Sequence, residues 1–234
     1  MNAGKRFRKA LVSMSVLGAL LISMMVVSPT VAATSSLTAD EIAGLTFMRE
    51  EEKLAHDVYV TFYQRYGVAI FNNIASSEAA HMAAIKTLLD RYGIADPVAG
   101  NGVGAFENIE LQALYNQLIV QGSPSLSAAL KVGGAIEEID ILDLQERLAM
   151  TTHADIQQVY NSLLNGSYNH LRAFANTLQT QIGEVYQPQY LDVAAYQIII
   201  GGTNGRRGGT GGSGSSIGGG SATGGGNTRG GRRW

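Results

Sequence analysis

The sequence predicts an all-α bundle, and two observations carry that prediction. In the first two long segments of the body, residues 38–66 and 70–92, apolar residues recur at alternating steps of three and four, which is the spacing of one face of a helix. Nowhere in the body does an alternation of apolar and polar residues run far enough to indicate a strand. Residues 34–200 are enough for one domain with a single core and too few for two ordinary domains. We therefore expect one helical domain.

Capping residues and helix breakers predict where the helices begin and end. Thr38 and Glu41 form a capping-box pattern, so the first helix begins there and runs to about residue 66, where Gly67 ends it. The remaining predictions are a helix over 70–92, a loop over 95–105, and helices over about 107–120, 125–149 and 155–164. Gly166 and Ser167 are expected to break or kink the last helix, which then resumes through residue 182. Residues 186–200 receive no firm assignment.

Residues 1–33 have the order of a secretory signal peptide. Four basic residues precede an apolar run over 10–27, and Val31 and Ala33 supply the small side chains that a signal peptidase needs, so we expect cleavage before Thr34. The alternative is an uncleaved membrane anchor, because the run has about the length of a short transmembrane helix. Pro29 and the small residues favour cleavage. The mature protein is then expected outside the cytoplasm, periplasmic, surface-bound or secreted, without a transmembrane segment.

Charge and cysteine content restrict the chemistry of the body. All 19 acidic residues lie within 34–200 beside 8 basic ones, a net charge of −11 that favours cations as partners. The chain has no cysteine, which excludes disulfides, a lipidated cysteine and thiolate metal ligands. Any metal site must therefore use oxygen and imidazole donors.

The C-terminal segment 201–234 is predicted to be a disordered tail. Nearly half of it is glycine, and it carries five arginines and no acid, so it cannot bury enough apolar area to offset its ordering entropy. Its end is similar to the arginine-glycine segments that bind nucleic acid. Because the chain is expected to be exported, an anionic cell-surface polymer, or the acidic body itself, is the favoured partner of this tail.

Two carboxylates and a histidine interrupt the apolar stripes of the first two helices. Glu52 lies in the stripe of the first helix, and Glu78 and His81 lie in that of the second. A buried carboxylate costs several kcal/mol unless it is paired or bound to a metal. Both stripes are interrupted at mid-length, which predicts a shared cation. The alternative is that Glu78 and His81 form a buried hydrogen-bonded pair.

Further donors come from the third and fourth long helices. Glu137 and Asp140 lie one turn apart among apolar residues, but a second stripe on the same helix would leave them at its edge. His170 can face the same interior, although it can also be a satisfied core histidine. Four helices that offer Glu, Glu-x-x-His, Glu and His make the donor set of a carboxylate-bridged dinuclear site, suited to iron or manganese.

Other polar residues near these positions receive structural interpretations. Glu50 and Glu51 are expected on a solvated face. His56 is expected at the rim of the site, and His153 at the start of a helix. Tyr59 is expected to pack in the core, although a tyrosine beside an oxidising metal can carry an electron.

Several motifs resemble a known family. Residues 52–59 have the Glu-x-x-Ala-x-x-x-Tyr spacing of a rubrerythrin-type first helix, and residues 77–81 are similar to its Glu-x-x-His partner. Together with residues 49–55, 136–141 and 169–174 they resemble the secreted, ferritin-like domain of unknown function 2202 over about residues 45–178. The resemblance implies a ferritin-like four-helix bundle with extra short helices. The metal ligands that it implies are Glu52, Glu78, His81, Glu137 and His170.

One position departs from the ferritin-like pattern. The usual fourth helix carries Glu-x-x-His, but Ser167 stands three residues before His170. Either Asp140 replaces the missing acid, or the site holds one metal, binds the second weakly, or has no redox activity.

We therefore expect an extracytoplasmic iron- or manganese-binding protein that oxidises ferrous iron or reduces peroxide, with oxygen or peroxide as its co-substrate. The pattern assigns no catalytic residue. The alternative is a non-catalytic structural or interaction protein, tethered by its basic tail.

Overall fold

The computed structural model describes residues 36–202, and every regular element in that range is helical. The elements are α1 (Ala39–Tyr66), α2 (Ala69–Tyr92), α3 (Ile109–Gly122), α4 (Leu126–Met150), α5 (Ala154–Thr177), a one-turn π-helix (Leu178–Ile182) and α6 (Val193–Gly201). The predicted all-α fold is confirmed. Within residues 36–202, no helix is long and apolar enough to cross a membrane. The predicted signal peptide, its cleavage point and the glycine-rich tail lie outside the described residues.

Four long helices form the bundle that positions the site. Helices α1 and α2 pack along each other, as do α4 and α5, and the two pairs join where α1 meets α4 and α2 meets α5. The predicted capping box is present at Thr38 and Glu41. Gly67 ends α1 with a φ of 68°, a left-handed conformation that glycine adopts without a steric penalty. The chain therefore reverses within two residues and places α2 against α1.

The segment 94–108, between α2 and α3, covers the outer face of α1. Asp96 accepts two hydrogen bonds of 3.0 Å from the guanidinium of Arg49, and the ammonium of Lys53 donates to the Gly102 carbonyl at 2.8 Å. Glu50 accepts from the backbone N–H of Glu107 at 2.7 Å. The expectation that Glu50 lies on a solvated face is therefore wrong, because this segment shields it and supplies its hydrogen bonds.

Helix α4 is covered on nearly all sides, which settles its ambiguous phase. The stripe with Glu137 and Asp140 faces the bundle, and most of the competing stripe is buried as well. The chain after the π-helix covers the remaining side, where Glu138 accepts hydrogen bonds from the Tyr186 hydroxyl and from the backbone of residues 189–191. The acids of α4 are therefore interior, although the pattern alone did not select that phase.

Helix α5 continues through Gly166 and Ser167, so the predicted break is wrong. A Cβ atom at Gly166 would lie 2.6 Å from Nε2 of His81 on α2, a distance that real contacts do not reach. Glycine stands here because it leaves room for a neighbouring ring. Residues 193–201, which had no firm assignment, form α6.

Candidate metal centre

The bundle brings five of the predicted donors together at mid-length of its four long helices. Glu52 comes from α1, Glu78 and His81 from α2, Glu137 from α4 and His170 from α5. The three glutamates are each 2% exposed. The two histidine side chains are 12% and 11% exposed and form the more open side of the cluster.

The donors divide into two groups that share Glu78. In the first, Nδ1 of His81 lies 2.8 Å from Oε2 of Glu78 and 3.2 Å from Oε2 of Glu52. In the second, Nδ1 of His170 lies 2.8 Å from Oε1 of Glu78 and 3.3 Å from Oε2 of Glu137. Within each group one ligand atom of every residue lies within 4.8 Å of the others. The two oxygens of Glu78 thus face different groups, as a bridging carboxylate requires.

Several donor atoms have no hydrogen bond. Oε1 of Glu52, Oε1 of Glu78 and Nδ1 of His170 are inaccessible to solvent, and none of them has a hydrogen bond of acceptable geometry. The last two are close together, but their orientation is not that of a donor and an acceptor. Buried polar atoms are nearly always hydrogen-bonded, so such a cluster calls for an explanation. Apart from the hydrogen bond between Nδ1 of His81 and Oε2 of Glu52, these atoms converge without satisfying one another, an arrangement that fits a cation between them.

The electrostatics of the cluster are those of a site that holds protons when no cation is bound. Burial raises the pKa of Glu52 well above its usual range, and Asp140 adds to the effect. Burial also works to lower the pKa values of the two histidines, but the facing carboxylates outweigh this effect. Glu52 and Glu78 raise the pKa of His81 to about 11, and Glu137 and Glu78 raise that of His170 to about 10. A metal must displace these protons to bind.

Glu78 is the residue that stays ionised in the cluster. Burial works to raise its pKa, but the nearby rings of His170 and His81 outweigh it and lower the pKa to about 2. The carboxylate at the centre of the cluster is therefore already in the form that a metal ligand needs.

Asp140 lies beside the two groups without belonging to either. The hydroxyl of Ser167 donates a hydrogen bond to Oδ2 of Asp140, whereas Oδ1 has no partner. Burial and the charge of Glu137 raise the pKa of Asp140 to about 8. Its carboxyl group thus contacts the residue that stands where a ferritin-like fourth helix would carry glutamate. Its role as a ligand stays a prediction.

Two residues that the sequence did not assign to the site support the donors. The hydroxyl of Tyr59 donates to Oε1 of Glu137 at 2.5 Å, and the hydroxyl of Ser77 lies 3.0 Å from Nε2 of His170. Such outer partners orient metal ligands. Tyr59 follows Glu52 by seven residues on the same stripe, so its position was readable from the spacing. Ser77 was not, because its partner comes from another helix.

Glu51 is the second residue that was wrongly expected at the surface. It is 4% exposed, it faces the acids of α4, and its Oε2 atom has no hydrogen bond. His56, in contrast, is partly exposed and hydrogen-bonds Asp57, outside both groups. His153 occupies the N-cap position of α5 without a capping hydrogen bond from its side chain, and its Nδ1 atom lies 2.6 Å from Oε1 of Glu41.

The fold and the cluster define the protein as a helical-bundle protein with a buried carboxylate–histidine centre that could hold a metal. Residues 41–203 match the family described as "Uncharacterized protein domain (DUF2202)", and the chain belongs to this family. It is 45% identical over 170 residues to the uncharacterized protein MJ0754 of Methanocaldococcus jannaschii, an alignment that covers 73% of this chain and 91% of that protein. The crystal structure of hypothetical protein MJ0754 superposes with a TM-score of 0.69, covering 71% of this chain and 95% of that one.

Proposed function

We propose that this protein binds two iron or manganese ions in a ferritin-like centre outside the cytoplasm, and that it oxidises ferrous iron or reduces peroxide there. The observation that carries the proposal is the shared carboxylate. Glu78 directs one oxygen to each of two donor groups, and each group adds one further glutamate and one histidine. Export rests on the signal-like order of residues 1–33.

The donor types are compatible with iron or manganese. Carboxylate oxygens and imidazoles suit these two ions, whereas the soft ions that prefer sulfur find no cysteine in the chain. In the proposed arrangement Glu52 and His81 would hold one ion, Glu137 and His170 would hold the other, and Glu78 would offer one oxygen to each. Ferrous ions held there would supply two electrons, which together with two protons would reduce one hydrogen peroxide to two water molecules.

The protein's own residues orient the donors and limit access to them. Tyr59 holds Glu137 through its hydroxyl, and Ser77 fixes the ring of His170. The glutamates are almost fully enclosed, while the edges of His81 and His170 are the more exposed part of the cluster. Oxygen or peroxide is therefore expected to approach between α2 and α5.

Metal analysis tests the binding part of this proposal. The full-length protein, purified without chelator and reconstituted with ferrous iron or manganese, is compared with Glu78→Ala. Asp90→Ala is the matched control, because Asp90 lies on the same helix and its exposed carboxylate pairs with Lys86 at the surface. We expect about two ions in the wild type and the control, and loss of both in Glu78→Ala.

A folded wild type that takes up neither ion would overturn the proposal and favour a structural or interaction role. The redox part has its own test, in which the iron-loaded protein is mixed with oxygen or with hydrogen peroxide. Ferric iron that forms faster than in a solution of the same iron concentration without protein supports it. Equal rates would leave a metal-binding protein without this activity.

A further inference from the structure

Helix α6 is apolar on its outer face as well as on its inner face. Its nine residues include one amide side chain, that of Gln197, and no charged one. Tyr196 and Ile199 point into the bundle and are 6% and 8% exposed. On the other side of the helix Val193 is 65% exposed and Ile198 is 76% exposed. A helix that is apolar all round is normally covered on all sides, so the open outer face calls for an explanation.

The exposed residues of α6 share one face and have further apolar surface beside them. Residues 193, 194, 197 and 198 are all exposed, and their spacing places them on one side of the helix. Beside α6 lies a cavity of about 400 Å³, which Ile200 of α6 and Val185 line together with Arg172 of α5. Val185 is itself 67% exposed. Apolar side chains and a positive charge thus meet at this end of the bundle, and residues 36–202 leave the outer face of α6 open.

The sequence that follows α6 is basic. Residues 203–234 contain five arginines and no acidic residue, whereas residues 34–200 carry a net charge of −11. Arg206 and Arg207 follow Gly201, the last residue of α6, by five and six positions, so chain length alone keeps them within about 20 Å of the helix end. An anionic surface is repelled by the body and attracted by this segment. It would therefore approach the protein from the α6 end.

We propose that the outer face of α6 and the arginines that follow it bind the surface of an anionic lipid bilayer, with Val193 and Ile198 inserted at the level of the headgroups. A bilayer meets both features at once, because it offers an apolar interior to α6 and negative headgroups to the arginines. An anionic polymer would neutralise the arginines but would leave the apolar face uncovered. A second copy of the chain would cover that face but would bring two basic segments together. This inference is independent of the metal centre.

Sedimentation with lipid vesicles tests the proposal. The chain from Thr34 to Trp234 is used, because the apolar run over 10–27 would bind lipid by itself and every described helix lies within 34–234. The vesicles contain phosphatidylglycerol and phosphatidylcholine in equal amounts, or phosphatidylcholine alone. Ile198→Gln is compared with the wild type. Val120→Gln is the matched control, because Val120 is 72% exposed and also lies near the C-terminal end of its helix, α3.

We expect the wild type and the Val120→Gln control to bind the anionic vesicles equally, and Ile198→Gln to bind them about tenfold more weakly. Replacement of all five arginines by glutamine should weaken binding by about 30-fold or more, and vesicles of phosphatidylcholine alone should bind the wild type as weakly as that.

A wild type that does not bind anionic vesicles would overturn the inference. Equal binding by Ile198→Gln and the wild type would also overturn it, because the contact would then depend on charge alone. Sedimentation equilibrium without lipid provides a further check. A wild-type dimer that Ile198→Gln dissociates would show that the outer face of α6 joins two copies of the chain, which would contradict the lipid-binding role. None of these results changes the metal content, which is measured separately.

Discussion

The two halves of the centre offer similar ligand atoms but differ in how the chain supplies carboxyl groups. In the α1–α2 half, glutamate precedes His81 by three residues, so one helix turn provides both donors. In the α4–α5 half the corresponding position before His170 is Ser167, and the carboxyl group beside it belongs to Asp140 on the neighbouring helix. The bundle therefore has an acid near the same place, but the backbone that carries this acid belongs to a different helix.

The halves also differ in how their histidines are held. The ring of His170 is fixed by a hydroxyl, that of Ser77, 3.0 Å from its Nε2 atom. The outer edge of His81 instead lies against the bare backbone of Gly166. One half thus depends on a hydrogen bond and the other on the absence of a side chain, so that single substitutions should affect them separately.

The largest expected effect comes from removing the glutamate that each half has to itself. Glu52→Gln should lose the ion of the α1–α2 half, and Glu137→Gln that of the α4–α5 half, with each affinity falling more than about 100-fold. Both variants should keep about one ion per chain after dialysis, which metal analysis measures. If either variant loses both ions, or neither loses any, the division into two halves is wrong.

Gly166→Ala should weaken the α1–α2 half selectively. The new methyl group must displace His81, whereas the atoms nearest to it on His170 stay 3.9 Å away. We expect the affinity for one ion to fall between about 10-fold and 100-fold, while the helix propensity of α5 improves. Isothermal titration with manganese measures the first effect and thermal unfolding the second. Asn165→Ala, an exposed neighbour, is the control, and equal affinities in the two variants would contradict this packing argument.

Metal affinity should rise with pH across the neutral range. Without metal, His81 and His170 are protonated below their raised pKa values of about 11 and about 10, and ligation requires their neutral forms. Each proton released makes the affinity rise about tenfold per pH unit, up to the pKa concerned. Titration in buffers of different ionisation enthalpy counts the released protons. Binding that is independent of pH between 6 and 8 would exclude histidine ligation.

Ser167→Ala should have the smallest effect. It removes the hydrogen bond to Asp140 without removing any donor of the two groups, so we expect a change of about 2-fold to 10-fold in the affinity of the α4–α5 half. Manganese titration measures it, with Ser76→Ala as a control at an exposed helical serine. A loss as large as that in Glu137→Gln would show that Asp140 is a full ligand held in place by Ser167.

Much of this architecture could be predicted from the sequence, because helical periodicity places Glu52, Glu78 and His81 inside before any fold is known. The capping box at Thr38 and the end of α1 at Gly67 are local features, and they were predicted at the correct positions. Local signals of this kind depend only on residues within a few positions of one another.

The errors arise where a distant segment determines the environment. Glu50 lies in an acidic run that resembles a solvated face, and only the crossing of segment 94–108 buries it. Gly166 resembles a helix breaker, but glycine stands there because the His81 ring on another helix leaves no room for a side chain. The phase of α4 stayed open because a helix covered on nearly all sides has no single apolar stripe. Asp140 beside Ser167 is likewise a tertiary contact that spacing could only suggest.

A manganese titration of the full-length protein, monitored by electron paramagnetic resonance, tests the shared role of Glu78 most directly. Two ions joined by one carboxylate are magnetically coupled, so the signal of isolated manganese should disappear as binding approaches two equivalents, and the same titration of Glu78→Ala should show free manganese throughout. Two bound ions with undiminished signals of isolated manganese, or a wild type that behaves like Glu78→Ala, would contradict the account.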